Sequence, residues 1–318
     1  MKTIYLNEQT KQLSPCVATI GFFDGVHLGH RYLINKVATT ARRERLASTV
    51  VTFARHPRQV LQSDWHPKLL STLDEKVEIL SQTGIDQLVI LQFDAAMAAL
   101  SAHDFMHDIL LQRLGVRFLV TGYDNHFGHR QPDSAEGFAD YVRYGREMGM
   151  MVLQGDPFET AGNVRVSSSK VRRQLLEGRV ELAAQCLGRP YQLSGTVVSG
   201  EHIGTSMGFP TANLQLSDTD KLIPAAGAYA VNVRLDGSTE LKHGMMNIGR
   251  RPTFDGDSQT LETHIFHFHD NLYGRQMSIQ FMARLRSERK YDSREALIAQ
   301  LEDDARQAET LLNNTPTI

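Results

Sequence analysis

The first half of the chain alternates short apolar runs with stretches whose apolar residues recur every three or four positions. Val17–Ile20, Ser48–Phe53, Gln87–Leu91, Phe118–Thr121 and Met150–Gln154 are the predicted strands. Tyr32–Arg45, Asp74–Gln82, Ala102–Arg113 and Glu136–Met148 are the predicted helices. Such alternation predicts an α/β domain with a mostly parallel sheet covered on both faces, where ligands sit at the carboxyl ends of the strands. After Arg189-Pro190 the pattern changes to strand upon strand: Tyr191–Ser199, Gly227–Leu235, Lys242–Ile248, Leu261–Phe268 and Gln276–Leu285. One late helix follows, Ser293–Leu312, with Ser293 as its N-cap. This half reads as an all-β barrel with a terminal helix packed on it. The change of texture divides the chain into domains 1–184 and 185–318.

Composition narrows the function classes. A chain of 318 residues can bury two real cores. Lys and Arg number 34 against 36 Asp and Glu, so no basic field advertises nucleic acid. Only two cysteines occur, Cys16 and Cys186, far apart and without a CxxC, which favours a reducing compartment. The residues Met1-Lys2-Thr3-Ile4-Tyr5 start no apolar core of the signal-peptide kind, and no run reaches the ~20 apolar residues of a membrane helix. A cytoplasmic protein without membrane or nucleic-acid partners is expected, and the sequence leaves room for oligomers.

The chemistry concentrates first in Gly21-Phe22-Phe23-Asp24-Gly25-Val26-His27-Leu28-Gly29-His30, between the first predicted strand and helix. Strand, glycine-rich turn and helix N-terminus make an anion site, since the backbone can approach closely and the first helical amides are free to bind phosphate. His27 and His30 are three apart and share a face if the helix has begun. Two imidazoles there can donate to phosphate oxygens; a zinc pair or two surface histidines are the rival readings. Three further clusters fit a nucleotide site. They are Thr52-Phe53-Ala54-Arg55-His56-Pro57, Gly122-Tyr123-Asp124-Asn125-His126-Phe127-Gly128 and Val166-Ser167-Ser168-Ser169-Lys170-Val171-Arg172. The serines of the last can cap a helix, or join Arg172 in holding triphosphate oxygens.

His27-Leu28-Gly29-His30 resembles the HxGH signature of nucleotidyltransferases. In order, across the whole first half, the four clusters resemble the adenylyltransferase half of bacterial bifunctional riboflavin kinase/FAD synthetases, whose elements are GxFDGVHxGH, TFxxHP, GxDxxFG and SSTxIR. The resemblance implies a Rossmann-like nucleotidyltransferase domain. It implies nucleotide contacts at Gly21, Phe23, Asp24, Gly25, Ser167, Ser168, Ser169 and Arg172, and catalytic roles for His27 and His30. Substrate contacts follow at Asp124 and Asn125. Ser169 replaces the family's Thr, and Asn125-His126 stand where many members carry an aromatic and a basic residue. The implied chemistry needs no covalent nucleophile. FMN brings an ionised phosphate that attacks the α-phosphorus of ATP, so positioning and charge neutralisation suffice.

The second half holds Gly204-Thr205-Ser206-Met207-Gly208-Phe209-Pro210-Thr211-Ala212-Asn213. Thr211 and Asn213 offer hard oxygens two residues apart, which suits magnesium, an ion that takes few protein ligands and completes its shell with water and phosphate. A turn in which both side chains bond their own backbone is the other reading. No Walker A sequence occurs. The stretch resembles the GRxxGxPTAN loop of riboflavin kinases, which implies nucleotide contacts at Gly204, Gly208, Pro210 and Thr211 and magnesium at Thr211 and Asn213. The family's base, which takes the proton of a neutral ribityl hydroxyl, corresponds to Glu262, ahead of Leu272-Tyr273-Gly274. Leu285-Arg286 matches as well and implies a substrate contact at Arg286. The usual basic residue of the loop is Thr205 here, which is expected to raise the KM for ATP without abolishing the kinase step.

The resemblance covers both halves and implies a bifunctional enzyme. It would phosphorylate riboflavin to FMN and adenylylate FMN to FAD, with ATP as co-substrate and Mg2+ as cofactor. Its partners would be riboflavin, FMN, FAD and ATP. An enzyme with one weakened half, a flavin carrier and a synthetase acting on RNA are the other readings; balanced charge weighs against the last.

Overall fold

The structure is a computed structural model that describes residues 1–62, 64–65, 68–123, 127–128, 136–159, 165–200, 204–253 and 256–314. The chain forms two compact units, Met1–Ser167 and Ser168–Ile318.

The first unit is built on six strands, β1 (Lys2–Tyr5), β2 (Cys16–Ile20), β3 (Ala47–Phe53), β4 (Gln87–Leu91), β5 (Val116–Thr121) and β6 (Met151–Gln154). Their order is β1-β4-β3-β2-β5-β6 and every pairing is parallel. The edge strand β1 is absent from the sequence expectation because its end residues Lys2 and Tyr5 are exposed, so it offers no apolar run. Helices α1 (Leu28–Glu44), α2 (Pro57–Leu61), α3 (Leu73–Ser81), α4 (Ala95–Ala99), α5 (Ala102–Asp104) and α6 (Phe138–Glu147) flank the sheet. The predicted helix Ala102–Arg113 is helical throughout but widens into a π-helix over Phe105–Arg113.

Side chains of the central strands alternate between two buried faces, as a doubly covered parallel sheet requires. Ala18, Ile20, Val51 and Leu91 pack with Phe105, Leu110 and Tyr141 on one face. Val50, Leu88 and Ile90 meet Ile34 and Leu80 on the other. The chain lays β3 and β4 to one side of β2, then returns to place β5 on the opposite side. That reversal opens a crevice at the carboxyl ends of β2 and β5, and the glycine loop leaves β2 at this point.

The second unit opens with α7 (Ser168–Leu176) and α8 (Val180–Leu187). Six strands follow, β7 (Tyr191–Val198), β8 (Ala212–Leu216), β9 (Gly227–Leu235), β10 (Lys242–Thr253), β11 (Gly256–Ile265) and β12 (Gln276–Ser287), then α9 (Arg294–Asn314). The strands close a barrel in the order β10-β11-β8-β7-β12-β9, with all pairings antiparallel. Strict alternation of buried and half-buried positions along β7 marks the inner face, which Leu193, Val231, Met246, Ile279 and Phe281 help to fill. Outside, α9 covers Ala230, Met245 and Phe266 with Ala308 and Leu312. Strand β8, unpredicted, is short and only one of its residues is fully buried.

Helices α7 and α8 pack with the barrel. The Arg284 side chain donates to the Glu177 carbonyl at 3.3 Å and its backbone amide to Glu181 Oε1 at 2.9 Å. The packing division therefore precedes α7, whereas the change of sequence texture follows α8.

Candidate functional sites

The glycine loop after β2 is a strained turn. Phe23, Gly25 and Val26 have φ of 54°, 76° and 40°, a region that a β-branched valine enters only when its surroundings compel it. Asp24 supplies the compulsion. It is 4 % exposed, and its carboxylate accepts the Leu70 amide at 2.9 and 3.1 Å and the Ser71 amide at 3.1 Å. The Ser71 hydroxyl in turn accepts the Gly25 amide at 3.0 Å. Asp24 and Gly25 thus spend these groups on building the loop. Phe23 is buried with its ring edge-on to His30 at 5.2 Å, and a Cβ at Gly21 would stand 3.1 Å from that ring.

Helix α1 begins four residues before the predicted start, and His27 is its N-cap. His27 Nδ1 accepts the His30 amide at 3.2 Å, which leaves the ring proton on Nε2. The His27 and His30 rings stack at 3.6 Å with 16° between their planes. Gly29 makes room for the pair, since a Cβ there would lie 3.2 Å from the His27 ring. Burial, then the neighbouring His27 and Lys76, hold the His30 pKa well below 6.5. His30 is therefore held as a neutral imidazole, a hydrogen-bond donor rather than a cation. Among the described residues no group of three His, Cys, Asp or Glu side chains could hold a metal ion, and His30 Nδ1 has no hydrogen-bond partner.

Beneath the loop lies a residue the sequence reading did not single out. Lys76 on α3 is 2 % exposed. Its Nζ donates to the carbonyls of Phe22 at 3.0 Å and Phe53 at 3.1 Å and sits 4.1 Å from the centre of the Phe22 ring. Thr52 Oγ1 donates to the same Phe22 carbonyl at 3.1 Å. Burial lowers the Lys76 pKa to about 8, against the opposing pull of Asp24. His56 at the end of the TFARHP element packs edge-on against Phe22 at 4.6 Å and caps α2 through its Nδ1. The glycine loop and the TFARHP element are thus brought together. Ser167 precedes α7, Ser168 and Ser169 lie in its first turn and Arg172 in its second. Asp124 and Asn125 lie outside the described residues.

In the second unit, Gly204–Met207 forms a 3-10 turn closed by the Phe209 amide on the Gly204 carbonyl at 2.9 Å. A Cβ at Gly204 would come within 2.3 Å of the Phe209 oxygen, and Gly208 has φ of 86°. Both positions need glycine. The Pro210 carbonyl accepts His264 Nδ1–H at 2.8 Å. Phe209 and Phe266 meet the His264 ring edge-on, and burial lowers its pKa.

Thr211 leads into β8, where Asn213 pairs with Glu262 of β11; Glu262 pairs in turn with Asn247 of β10. Asn247 faces Ala228 and Ala228 faces Arg286, so one row crosses β8, β11, β10, β9 and β12. Cross-strand partners share a face. Met245 and Ala230 lie two residues along the same strands, so this is the outer face that α9 covers. Asn213 is accommodated by Gly200, whose Cβ would strike the Asn213 amide. Arg286 is held at the far end of the row by Asp304 of α9, at 2.7 Å from Nη2 and 2.9 Å from Nε. A cavity of about 220 Å³ borders the loop, lined by Pro210, Thr211, Thr263, Phe268, Asn271 and Tyr273. The Thr263 hydroxyl is buried and has no hydrogen-bond partner among the described residues.

A stacked HxGH pair at a strand-end crevice and a Pro-Thr-Ala-Asn loop entering a closed barrel mark a two-domain, nucleotide-dependent transferase. Comparison with known proteins names both halves: residues 9–170 match the FAD synthetase family and residues 187–312 the riboflavin kinase family. The bifunctional riboflavin kinase/FMN adenylyltransferase of Escherichia coli K12 is 38% identical, over 91% of this chain and 90% of its own. That of Bacillus subtilis is 33% identical over 99% of each. A solved structure described as a macrolide-efflux protein from Streptococcus pneumoniae has a TM-score of 0.87 and 29% identity, covering 99% of this chain and 100% of its own. Among the described residues no helix is long and apolar enough to cross a membrane. The chain belongs to the bifunctional riboflavin kinase/FMN adenylyltransferase family.

Proposed function

We propose that this chain makes FMN and then FAD, with the barrel phosphorylating riboflavin and the sheet domain adenylylating the product. The observation that carries the kinase assignment is the register that sets Glu262 opposite Asn213. Glu262 takes the proton of the ribityl hydroxyl as that oxygen attacks the γ-phosphorus of ATP, and ADP leaves. Asn213 on the outer face and Thr211 just before β8 supply neutral oxygen donors, a set that fits Mg2+ whose charge ATP offsets. When bound, the ion neutralises phosphate charge. Gly204, Gly208 and Pro210 shape the loop so that the cavity beside Thr211 receives ATP. Arg286, fixed by Asp304, stands on the flavin side.

In the second reaction the FMN phosphate attacks the α-phosphorus of a second ATP and pyrophosphate leaves. The nucleophile is already ionised, so His27 and His30 need only donate hydrogen bonds to phosphate oxygens. Gly21 and Phe23 shape the anion site, with Asp24 and Gly25 bracing it. Ser167, Ser168, Ser169 and Arg172 add hydroxyls and a cation for the triphosphate, and Asp124 and Asn125 meet the flavin side. On this reading the functional division stays at 184/185, because the serine segment that opens α7 serves the adenylyl transfer. The two unpaired, buried cysteines favour the cytoplasm.

A time course with riboflavin, ATP and magnesium tests the reading. FMN should appear first and FAD follow. Flavin binding without turnover would leave a carrier in place of an enzyme.

A further inference from the structure

The glycine loop and the TFARHP element leave different strands, yet their carbonyls converge on one side chain. Phe22 follows β2 and Phe53 ends β3, and both oxygens point at Lys76 Nζ, at 3.0 and 3.1 Å. A lysine on a helix ordinarily keeps its ammonium in water. This one is drawn beneath the loop, under the Phe22 ring. Few devices fix two strand ends with one group, and an ammonium with three donors is suited to it. The carbonyl of Phe22 also accepts Thr52 Oγ1, so the clamp is shared by β3 itself.

We propose that Lys76 is a positioning residue for adenylyl transfer, whose ammonium locks the glycine loop and the TFARHP element into one frame under the His27/His30 pair. It touches neither ATP nor FMN; it acts by holding the loop from which the two histidines project. Charged and titratable groups face it from two sides. Asp24 in the loop favours the ammonium, and it bears in turn on His30, which stacks on His27 of α1. Its pKa of about 8 places loss of the clamp's charge just above neutrality. In the free enzyme, deprotonation as pH rises through that value weakens the clamp, so kcat/KM for FMN adenylylation falls on the alkaline side.

The test uses the full chain with Lys76→Met and Lys76→Arg. FMN adenylylation is measured from pH 6.5 to 9.5, with riboflavin phosphorylation by the same preparation as reference. Trp65 lies in the first unit against His56, 4.7 Å between ring centres, so its fluorescence reports whether that unit is folded. Lys76→Met should lower the adenylylation kcat by about 100-fold with a smaller change in the KM for ATP, while the kinase rate stays at the wild-type value. Lys76→Arg should recover much of kcat and lose the alkaline fall, because a guanidinium does not titrate there. Wild-type adenylylation and an unchanged alkaline limb in Lys76→Met would overturn the proposal. If Lys76→Met unfolds the first unit, Lys76→Arg decides: a folded arginine variant that keeps the wild-type alkaline limb would overturn it equally.

Discussion

Asn213 and Glu262 stand directly opposite each other on neighbouring antiparallel strands. Their side chains share the outer face of the barrel, with Cβ atoms about 5 Å apart by strand geometry. A candidate metal-binding amide and a candidate base are thus fixed by backbone register rather than by loop conformation. Asn213→Asp would set a second carboxylate against Glu262 and raise the cost of ionising either. The kinase kcat should drop at least about 10-fold, while FAD formation from added FMN stays unchanged. Steady-state assays of the two half-reactions check this.

The Pro210 carbonyl is held by the His264 ring proton, and Thr211 follows immediately. His264→Phe keeps the aromatic packing but removes a hydrogen bond worth about 1 kcal/mol. The KM for ATP in riboflavin phosphorylation should rise roughly 5-fold. His264→Asn, which retains a donor, should restore part of it. Initial-rate kinetics at saturating riboflavin decide the matter.

His30 makes the first unit sensitive to acid. Its folded pKa lies well below 6.5 because burial, His27 and Lys76 disfavour the imidazolium. As pH falls below 6.5, the unfolded chain binds this proton before the folded one does. Stability that is complete above 6.5 is therefore lost progressively towards the folded pKa. His30→Gln should flatten this acid slope. Urea unfolding followed by Trp65 fluorescence between pH 7.5 and 5 measures it directly.

Asp304 is 1 % exposed and accepts a two-point contact from Arg286, tying α9 to β12. Asp304→Ala would leave the guanidinium uncompensated and should destabilise the barrel by about 3 kcal/mol. The double variant Asp304→Leu/Arg286→Met removes both charges and should recover most of that loss. Chemical denaturation of the kinase half, followed by circular dichroism, checks both.

The parallel sheet was legible because its central strands are buried on both faces and read as apolar runs. The glycine loop was legible from Gly21, Gly25 and Gly29 between a strand and a helix start, whereas the positive φ of Phe23 and Val26 was not. Strand β8 was not legible, since it is short, largely half-buried and follows directly on Pro210-Thr211. Lys76 and Asp304 were invisible for a common reason. Each is a charged residue on a helix, where solvent exposure is the ordinary expectation, and only the tertiary fold turns it inward. The histidine pair was found from spacing, but the neutral state of His30 depends on its burial beside His27 and Lys76, which no spacing encodes. The row joining Asn213, Glu262, Asn247 and Arg286 draws on four strands of the barrel, and pairing of β10 with β9 on closure brings Arg286 into it.

The most direct test of two separate ATP-dependent sites in one chain is a product assay on two variants, Glu262→Gln and His27→Ala. Each is supplied in turn with riboflavin or with FMN, together with ATP and magnesium. Glu262→Gln should make almost no FMN from riboflavin, a loss of about 100-fold or more, yet convert supplied FMN to FAD at the wild-type rate. His27→Ala should accumulate FMN and make FAD about 100-fold more slowly. Failure of folded Glu262→Gln to make FAD from supplied FMN, or of folded His27→Ala to make FMN from riboflavin, would contradict this division of labour.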